Sequence, residues 1–362
     1  MKKISLVLCT LVIVFSCAEA ILRYFIRWIP QDITGVSTVI SNRGYALNPS
    51  SGVDLHQVGP MVVQYHYYIP HLRDTPRDAA AIPILVLGDS FTFGWLLPWK
   101  KTYVHHLQVL ADESFRNKKY QFLNGGTGGW GTADYLAFLE EHGAEIAPTY
   151  VLIFLNTDDI GRAIKRNIYR LTDDHSLQLT ENFHPLPNTA LKKFLYNTWL
   201  FKHSLLIHLI RYQISQLLHI KFQQSAYVQT ETYPIPASLD LMFEDTYAIR
   251  YGEALFLRIQ QWCQQHHARL IVVTTGYNAF YPRTMHEPTK AFLSEAPLFF
   301  AKEGILYYDI SAPFKKMIDG KNFQIPGDAH PNEFGSKAIA EVTWLRLKEV
   351  LKQGTESKNH AL

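Results

Sequence analysis

Residues 84–94, ILVLGDSFTFG, decide the fold of this chain. Four apolar residues in succession, preceded by Pro83, are typical of a strand that is buried on both faces of a parallel sheet. The Gly88-Asp89-Ser90 turn that follows leads into a helical pattern. Ser90 is therefore predicted to lie where the carboxyl end of a parallel strand meets the start of a helix, which is the edge at which open α/β sheets bind ligands.

Compact apolar runs of this kind recur along the sequence, separated by stretches with the spacing of amphipathic helices. The runs are Ile84–Leu87, Tyr120–Leu123, Tyr150–Leu155, Leu270–Val273 and Ile305–Tyr308. The helical stretches are 102–117, 132–146, 247–267, 287–302 and 332–352. This alternation predicts an α/β fold, a three-layer α/β/α sandwich around a five-stranded parallel sheet. Residues 161–245 are predicted to form a helical insertion between the third and fourth strands.

The composition is that of a globular protein and excludes several classes. Of the 362 residues, 47% are hydrophobic and 19% are charged, which rules out a disordered or collagen-like chain. Lys+Arg 35 against Asp+Glu 32 leaves a net charge of +3, which is too small a basic excess to favour a nucleic-acid partner. Cys9 and Cys17 lie in an apolar leader, so Cys263 has no second cysteine with which to form a disulfide in the body of the chain.

The first 30 residues predict export. A basic start, MKK, precedes an uncharged apolar run over residues 4–18, which has the length of the apolar core of a signal peptide. Residues 18–20, AEA, fit a cleavage site, whereas the apolar, aromatic and arginine residues of 21–29 favour an uncleaved transmembrane anchor. Residues 1–30 are thus a signal peptide or an N-terminal membrane anchor. The protein is expected to face the extracytoplasmic (periplasmic) side of a membrane, or to be secreted if the leader is cleaved.

Two other segments lie outside the alternating pattern. Residues 31–80 are rich in turn formers and short aromatic runs, which predicts an irregular or short-stranded cover segment ahead of the α/β domain at 81–355. Residues 182–230 contain no Asp or Glu and combine Lys and Arg with many apolar side chains. We interpret them as an insertion helix packed on the sandwich; the alternative is a membrane-facing lid beside the Ser90 crevice.

Further loops bring polar residues to the predicted edge that carries Ser90. The second strand is followed by residues 124–132, NGGTGGWGT, whose glycines can aim backbone N–H groups into the crevice. The third ends at residues 156–159, NTDD, and a loop before the last helix carries Asp328 and His330. Each loop alone is compatible with an ordinary turn. Together they predict a serine nucleophile with an imidazole as general base and a carboxylate that orients the imidazole.

These blocks, in this order, resemble those of the SGNH (GDSL-type) hydrolases, in particular their membrane-anchored bacterial members. The resemblance spans about residues 81–352 and implies the flavodoxin-like SGNH hydrolase fold. It also implies the catalytic residues: Ser90 attacks an ester carbonyl, His330 takes and returns the proton, and Asp328 holds the imidazole. The last block often reads Asp-x-x-His in the family, and the shorter Asp-x-His spacing of this chain is shared by membrane-anchored relatives.

The same resemblance implies an oxyanion hole made of the backbone N–H groups of Ser90 and Gly129 and the side-chain amide of Asn156. The family's third block commonly reads Asn-Asp, whereas in this chain Thr157 separates Asn156 from Asp158. Either residue could therefore align with the family's asparagine. We prefer Asn156, because only an amide can donate a hydrogen bond and an ionised Asp158 would repel an oxyanion.

The reaction implied is cleavage of a carboxylic ester through an acyl-Ser90 intermediate, without a cofactor. The substrate would be a small-molecule, carbohydrate or lipid acyl ester. Two alternatives stay open: an O-acyltransferase that passes the acyl group to a cell-envelope carbohydrate, and a non-catalytic binding module on the same scaffold. No metal is expected, because the histidines show neither H-E-x-x-H spacing nor paired cysteines. Asp158 and Asp159 are interpreted as solvated loop charges, with Asp159 in support of the active loop.

Overall fold

The computed structural model describes most of the chain and shows two compact units. The described residues are 2–25, 39–58, 61–116, 119–172, 176–180, 204, 206–207, 210, 245–277, 280, 287–325 and 328–359. The first unit consists of Met1–Ser37, Asp54–Gln64 and Pro187–Ile235. The second consists of Thr38–Val53, Tyr65–Leu186 and Pro236–Leu362. The second unit contains the sheet edge that carries Ser90.

The first unit contains helix α1 (Lys2–Phe25), which follows from a long apolar run free of Gly and Pro. Its Glu19 carboxylate pairs with Arg23, one turn later, at 2.8 Å and accepts a hydrogen bond from the Ser204 hydroxyl at 2.9 Å. None of the helices in the described residues is long and apolar enough to cross a membrane. Most of residues 182–230, and with them the predicted insertion helix or lid, lie outside the described residues.

The strands are numbered in order along the chain. They are β1 (Val39–Ile40), β2 (Ala46–Leu47), β3 (Gly52–Val58), β4 (Met61–Tyr68), β5 (Leu72–Arg73), β6 (Ile82–Leu87), β7 (Tyr120–Asn124), β8 (Tyr150–Leu155), β9 (Tyr169–Leu171), β10 (Leu177–Leu179), β11 (Arg269–Thr274) and β12 (Leu306–Tyr308). Two antiparallel ribbons, β1 with β2 and β9 with β10, stand apart from the main sheet.

The other helices whose bounds the structure describes belong to the second unit. They are α2 (Ser90–Phe93), α3 (Tyr103–Ser114), α4 (Thr132–Phe138), α5 (Ala144–Ile146), α6 (Asp159–Arg166), α7 (Asp245–Gln265), α8 (Glu287–Lys302), α9 (Ser311–Ile318) and α10 (Glu333–Asn359). A 3₁₀ turn at Trp99–Lys101 precedes α3, and a π-helical turn at Leu139–Gly143 joins α4 to α5. The five helical stretches that the sequence predicts are confirmed to within a few residues, apart from a longer α10.

The five predicted strands are confirmed as parallel neighbours in the order β12-β11-β8-β6-β7. The chain moves outward from β6 to β7 and then returns to the other side of β6 for β8. Strands β6 and β8 therefore flank the point at which the strand order reverses, where a crevice opens at the carboxyl ends of doubly wound sheets.

The prediction of a purely parallel sheet of five strands is wrong in its extent. The sheet has eight strands, because β5, β4 and β3 continue it beyond β7, and β5 is antiparallel to both β7 and β4. Strand β4 buries the alternate residues Val63, Tyr65 and Tyr67, which is the pattern of an antiparallel strand with one covered face. The segment predicted as irregular cover, residues 31–80, thus supplies part of the sheet.

Two apolar cores, one on each face of the sheet, confirm the three-layer sandwich. Ile84 and Val86 of β6 face the core shared with α3, α9 and α10. Leu85 and Leu87 face the other core, which includes α4, α6, α7 and α8. Because successive strand residues point to opposite faces, a run of four apolar residues fits only a strand that is covered on both sides.

Candidate active site

Ser90 lies on a sharp strand-to-helix turn. Asp89 caps α2 with its carboxylate, which accepts a hydrogen bond from the Phe91 backbone N–H at 2.9 Å. Gly94, in the left-handed region at φ 79°, ends the helix after a single turn. A Cβ at Gly88 would lie 1.9 Å from the Thr92 hydroxyl oxygen, so only glycine lets the turn close this tightly. The Gly-Asp-Ser sequence thus places the serine at the carboxyl edge of β6.

The structure brings together Ser90, Asp328 and His330, although Ser90 and His330 lie 240 residues apart in the sequence. The Ser90 Oγ atom lies 2.7 Å from Nε2 of His330, and the Nδ1 atom of the same ring lies 2.5 Å from Oδ1 of Asp328. The side chains of His330 and Asp328 are 20% and 27% exposed, so solvent reaches this chain of hydrogen bonds. The arrangement is that of a nucleophile, a general base and the carboxylate that orients the base.

The Asp328 carboxylate is held so that it stays ionised. Partial burial on its own would raise the pKa of this group, but hydrogen bonds from the ring and from the backbone N–H of His330 outweigh burial and lower the pKa below its usual value. Both bonds go to the same oxygen, Oδ1, the backbone bond at 2.7 Å. An ionised acceptor at Nδ1 leaves Nε2 as the proton acceptor that faces Ser90.

The loop that carries Asp328 and His330 is short and closed. An isolated β-bridge pairs Gln324 with Pro331, and the side-chain amide of Asn332 donates to the carbonyl of Gln324 at 3.0 Å. Helix α10 begins immediately afterwards at Glu333. The imidazole is therefore fixed at the start of a long helix that packs in the core under β6.

Aromatic rings border the imidazole. The ring of His330 lies 5.0 Å from the ring of Phe91 and 6.0 Å from that of Trp95, measured between centroids. Phe91 in turn meets Tyr277 edge to face at 4.6 Å. Such a wall offers an apolar surface to a group bound beside the general base.

Arg73 on β5 supports the serine helix from behind and is a residue that sequence reasoning missed. It is fully buried, and its guanidinium donates to the backbone carbonyls of Phe93, Gly94 and Leu97, the last two at 2.8 and 2.6 Å. Its Nε atom pairs with Asp74 at 2.6 Å. Because these carbonyls lie at the end of α2 and just beyond it, Arg73 satisfies groups that the single-turn helix leaves without partners.

The guanidinium of Arg73 also lies against two aromatic rings, which contact each other edge to face. Its Cζ atom is 4.4 Å from the centroid of Tyr65 and 4.5 Å from that of Phe93. Burial of a cation is tolerated at this position because carbonyls, a carboxylate and ring faces surround it. No motif announces this role, since an arginine in an aromatic segment is equally typical of a surface strand.

The glycine loop after β7 closes against the serine turn. Its Thr127 backbone N–H donates to the Gly88 carbonyl at 3.1 Å, and the Asn124 side chain donates to the Thr92 carbonyl at 3.0 Å. A Cβ at Gly126 would lie 2.5 Å from the Phe93 nitrogen, so this approach also requires glycine. The loop predicted to provide an N–H donor thus lies directly beside the turn that carries Ser90.

Gly129, the predicted donor, lies at the exposed tip of this loop with a left-handed φ of 75°. Its carbonyl accepts a hydrogen bond from Arg166 at 2.8 Å. The positive φ turns the two peptide groups that flank Gly129 in different directions, a conformation that other residues adopt only under strain.

Asn156 lies buried at the carboxyl end of β8 and faces the serine turn. Its amide Nδ2 donates to Asp89 at 2.9 Å, and its Oδ1 accepts a hydrogen bond from the Thr275 hydroxyl at 3.0 Å. These contacts orient the amide and leave its second N–H hydrogen for another acceptor. Asp158 is 39% exposed and instead pairs with Arg162 at 3.0 Å. The structure thus joins Asn156, and not Asp158, to the turn that carries Ser90.

The interpretation of Asp159 as a solvated charge is wrong. Its carboxylate is fully buried and accepts hydrogen bonds from the Asn156 backbone N–H and the Tyr135 hydroxyl, both at 2.8 Å. Burial and the nearby Asp89 carboxylate raise the pKa of Asp159 well above its usual value, against the opposing charge of Arg162. Asp159 therefore fixes the backbone of Asn156, the supporting role that the sequence suggested.

The geometry of the site is typical of one class of protein. A serine hydroxyl bonded to an imidazole that is bonded to a carboxylate, at the carboxyl edge of a doubly wound sheet, is the arrangement of serine hydrolases. No group of three histidine, cysteine or acidic side chains within the described ranges is placed to hold a metal ion.

No protein-family profile and no curated protein matches the chain in sequence. Among solved structures, the chain is similar to the psychrotrophic esterase EstA from Pseudoalteromonas sp., with 15% identity, a TM-score of 0.41, and 75% of this chain and 99% of that chain covered. It is also similar to a lipolytic protein of the G-D-S-L family from Veillonella parvula, with 12% identity, a TM-score of 0.39, and coverage of 74% and 99%.

A third solved structure is an acetylxylan esterase from Geobacillus stearothermophilus, at 13% identity and a TM-score of 0.41, with 74% of this chain and 94% of that chain covered. These solved structures are thus two esterases and one member of the G-D-S-L lipolytic family. At such identities the likeness concerns the fold, so the reaction has to be argued from the site.

Proposed function

We propose that this protein is a serine esterase that cleaves carboxylic esters through an acyl-Ser90 intermediate. One observation carries the proposal: hydrogen bonds of 2.7 Å from Ser90 Oγ to His330 and 2.5 Å from His330 to Asp328 link a nucleophile, a general base and an orienting carboxylate. A serine that merely caps a helix needs neither an imidazole at its hydroxyl nor a carboxylate behind that imidazole.

The reaction follows from this geometry. As Ser90 Oγ attacks the ester carbonyl, Nε2 of His330 takes its proton, and Asp328 stabilises the imidazolium that forms. Collapse of the tetrahedral intermediate breaks the bond to the alcohol, which leaves with the proton from His330. A water molecule then repeats the sequence on the acyl-enzyme, releases the carboxylic acid and restores the Ser90 hydroxyl.

The developing oxyanion needs donors that are in place before the reaction. The candidates are the backbone N–H groups of Ser90 and Gly129 and the free hydrogen on the Asn156 amide. The contact of the glycine loop with Gly88 and the bond from Asn156 to Asp89 support this assignment, because they bring both elements to the serine turn.

Labelling with a fluorophosphonate probe tests the proposal. We expect the mass of the adduct to map to Ser90, and Ser90→Ala to lose turnover of short-chain aryl esters by orders of magnitude. Ser294→Ala is a matched control, since this exposed serine donates its hydroxyl to the Ala291 carbonyl of its own helix. The variant should be labelled and should hydrolyse esters like the wild type. An adduct on another residue, or full turnover by Ser90→Ala, refutes the proposal.

We propose further that residues 1–30 direct the protein out of the cytoplasm. The basic MKK start and the uncharged apolar run over residues 4–18 support this. Cell fractionation and N-terminal sequencing test it. A mature chain that begins at Ile21 identifies a cleaved signal, and a full-length chain in the membrane fraction identifies a tether. A full-length chain confined to the cytoplasm contradicts the proposal.

A further inference from the structure

Two arginines of α6, one helical turn apart, hold successive carbonyls of the glycine loop. Nη2 of Arg166 donates to the Gly129 carbonyl at 2.8 Å. Nη1 of Arg162 donates to the Trp130 carbonyl at 3.1 Å. Residues four apart lie on the same face of a helix, so both side chains reach the loop from one side. The loop tip is thus fastened from the side of α6.

A long turn hydrogen bond, in which the Trp130 backbone N–H donates to the Thr127 carbonyl at 3.3 Å, closes the tip of the loop. Gly128 and Gly129 are exposed, and glycine backbones have the largest conformational freedom of any residue. Within the described chain, a Cβ at Gly128 would meet no atom within 4 Å, and one at Gly129 would meet a single atom, Nη2 of Arg166, at 3.7 Å. The guanidinium of Arg166 is therefore the side-chain group closest to the tip.

A buried carboxylate holds the Arg166 side chain in place. Its Nη1 atom lies 2.9 Å from the Asp134 carboxylate, which is fully buried. The other oxygen of Asp134 accepts a hydrogen bond from the Gly131 backbone N–H at 2.7 Å. Asp134 thus fixes both the arginine and the backbone two residues beyond Gly129. The Arg166 side chain is only 12% exposed, so it has few alternative positions.

We propose that Arg166 is a positioning residue for catalysis: by holding the Gly129 carbonyl, it orients the adjoining Gly129 N–H as an oxyanion donor. This rests on the proposed esterase function. An oxyanion hole stabilises a transition state only if its donors are already aimed, and a glycine tip left to itself would sample many orientations. Arg166 acts through the backbone and does not need to touch the substrate.

The proposal predicts a specific kinetic signature. A misaimed donor weakens binding of the transition state and leaves binding of the planar ester nearly unchanged. Loss of Arg166 should therefore lower kcat by about 10–100-fold, somewhat less than complete removal of one oxyanion donor, with KM within about two-fold. The rate at which a phosphonate forms its tetrahedral adduct with Ser90 should fall in parallel with kcat.

The variants are chosen so that a misfolded protein is not mistaken for a mispositioned loop. Arg166→Met alone would leave the buried Asp134 carboxylate without its partner. The double variant Asp134→Asn with Arg166→Met is therefore compared with Asp134→Asn alone, and each is checked by its thermal unfolding midpoint. Lys165→Met, an exposed neighbour on the same helix, controls for the lost positive charge.

We expect the double variant to lose kcat and phosphonylation rate relative to Asp134→Asn, and Lys165→Met to match the wild type. A kcat within two-fold of the Asp134→Asn background, or a loss confined to KM, overturns the role of Arg166 while the proposed function stands. A wild-type protein that neither labels at Ser90 nor hydrolyses esters overturns the proposed function and this inference together.

Discussion

Replacement of Asp328 tests how much of the site's chemistry depends on its charge. In Asp328→Asn the side-chain oxygen should keep its place, because Oδ1 accepts both the ring Nδ1–H and the backbone N–H of His330. If the introduced amide were rotated by 180°, its NH₂ group would face the backbone N–H of His330, and two donors would oppose each other. The hydrogen bonds and the tautomer of His330 therefore survive, and only the negative charge is lost.

The lost charge sets the size of the effect. A carboxylate about 4 Å from an imidazolium stabilises it by about 4 kcal/mol at an effective dielectric constant of about 20. Because the Asp328 side chain is 27% exposed, solvent screening reduces this to about 2–3 kcal/mol. At about 1.4 kcal/mol per tenfold, Asp328→Asn should lower kcat by about 30–150-fold. Asp328→Ala also loses the orientation of the ring and should lower kcat by about 10³–10⁴.

Hydrolysis of a p-nitrophenyl ester, with active sites counted by phosphonate titration, measures both variants. Asp112→Asn, which removes an exposed carboxylate from α3, should leave kcat unchanged. Equal losses in Asp328→Asn and Asp328→Ala would show that the shared oxygen does not hold the tautomer. Losses below about three-fold in both would remove Asp328 from the reaction altogether.

Asn156→Ala should lower kcat by about 10²–10³ with little change in KM. If Asp158→Ala shows this profile and Asn156→Ala is nearly silent, the assignment of Asn156 is wrong. Arg73→Met should lower the free energy of unfolding, measured in urea, by about 3–5 kcal/mol, because Asp74 and several backbone carbonyls lose their partner. A loss no greater than that of Arg170→Met, at an exposed position, contradicts the role of Arg73. Asp159→Asn should raise the thermal unfolding midpoint more at pH 8 than at pH 5. The pKa of Asp159 is higher in the folded than in the unfolded protein, so the wild type loses stability as the pH rises and the carboxyl ionises. A larger rise of the midpoint at pH 5 contradicts this.

The sequence predicted the parts of the fold that are written in local patterns. Largely apolar runs identified β6, β7, β8, β11 and β12, because strands covered on both faces have few polar positions. Ser90, Asn156 and the Asp328 loop were found because each follows a strand or precedes a helix. Their convergence follows from the rule that parallel strands end at the same edge.

What the sequence did not predict depends on distant contacts. Strand β5 has only two residues and is a strand because β7 and β4 lie beside it. Arg73 and Arg166 carry no motif, since the role of a guanidinium is set by which carbonyls the folded chain brings within reach. Asp159 was expected in solvent because adjacent aspartates are typical of exposed loops, yet the first turn of α6 carries its side chain into the core.

The 240 residues between Ser90 and His330 have a consequence for the timing of synthesis. At 5–20 residues per second, a ribosome needs about 10–50 s to travel from the serine codon to the histidine codon. Throughout that interval the nascent chain carries a serine without its base, and the β-bridge that frames His330 cannot form until Pro331 has emerged. If the proposed esterase function holds, the nascent chain stays inert towards its surroundings while it is being made, because the triad is incomplete until His330 has emerged.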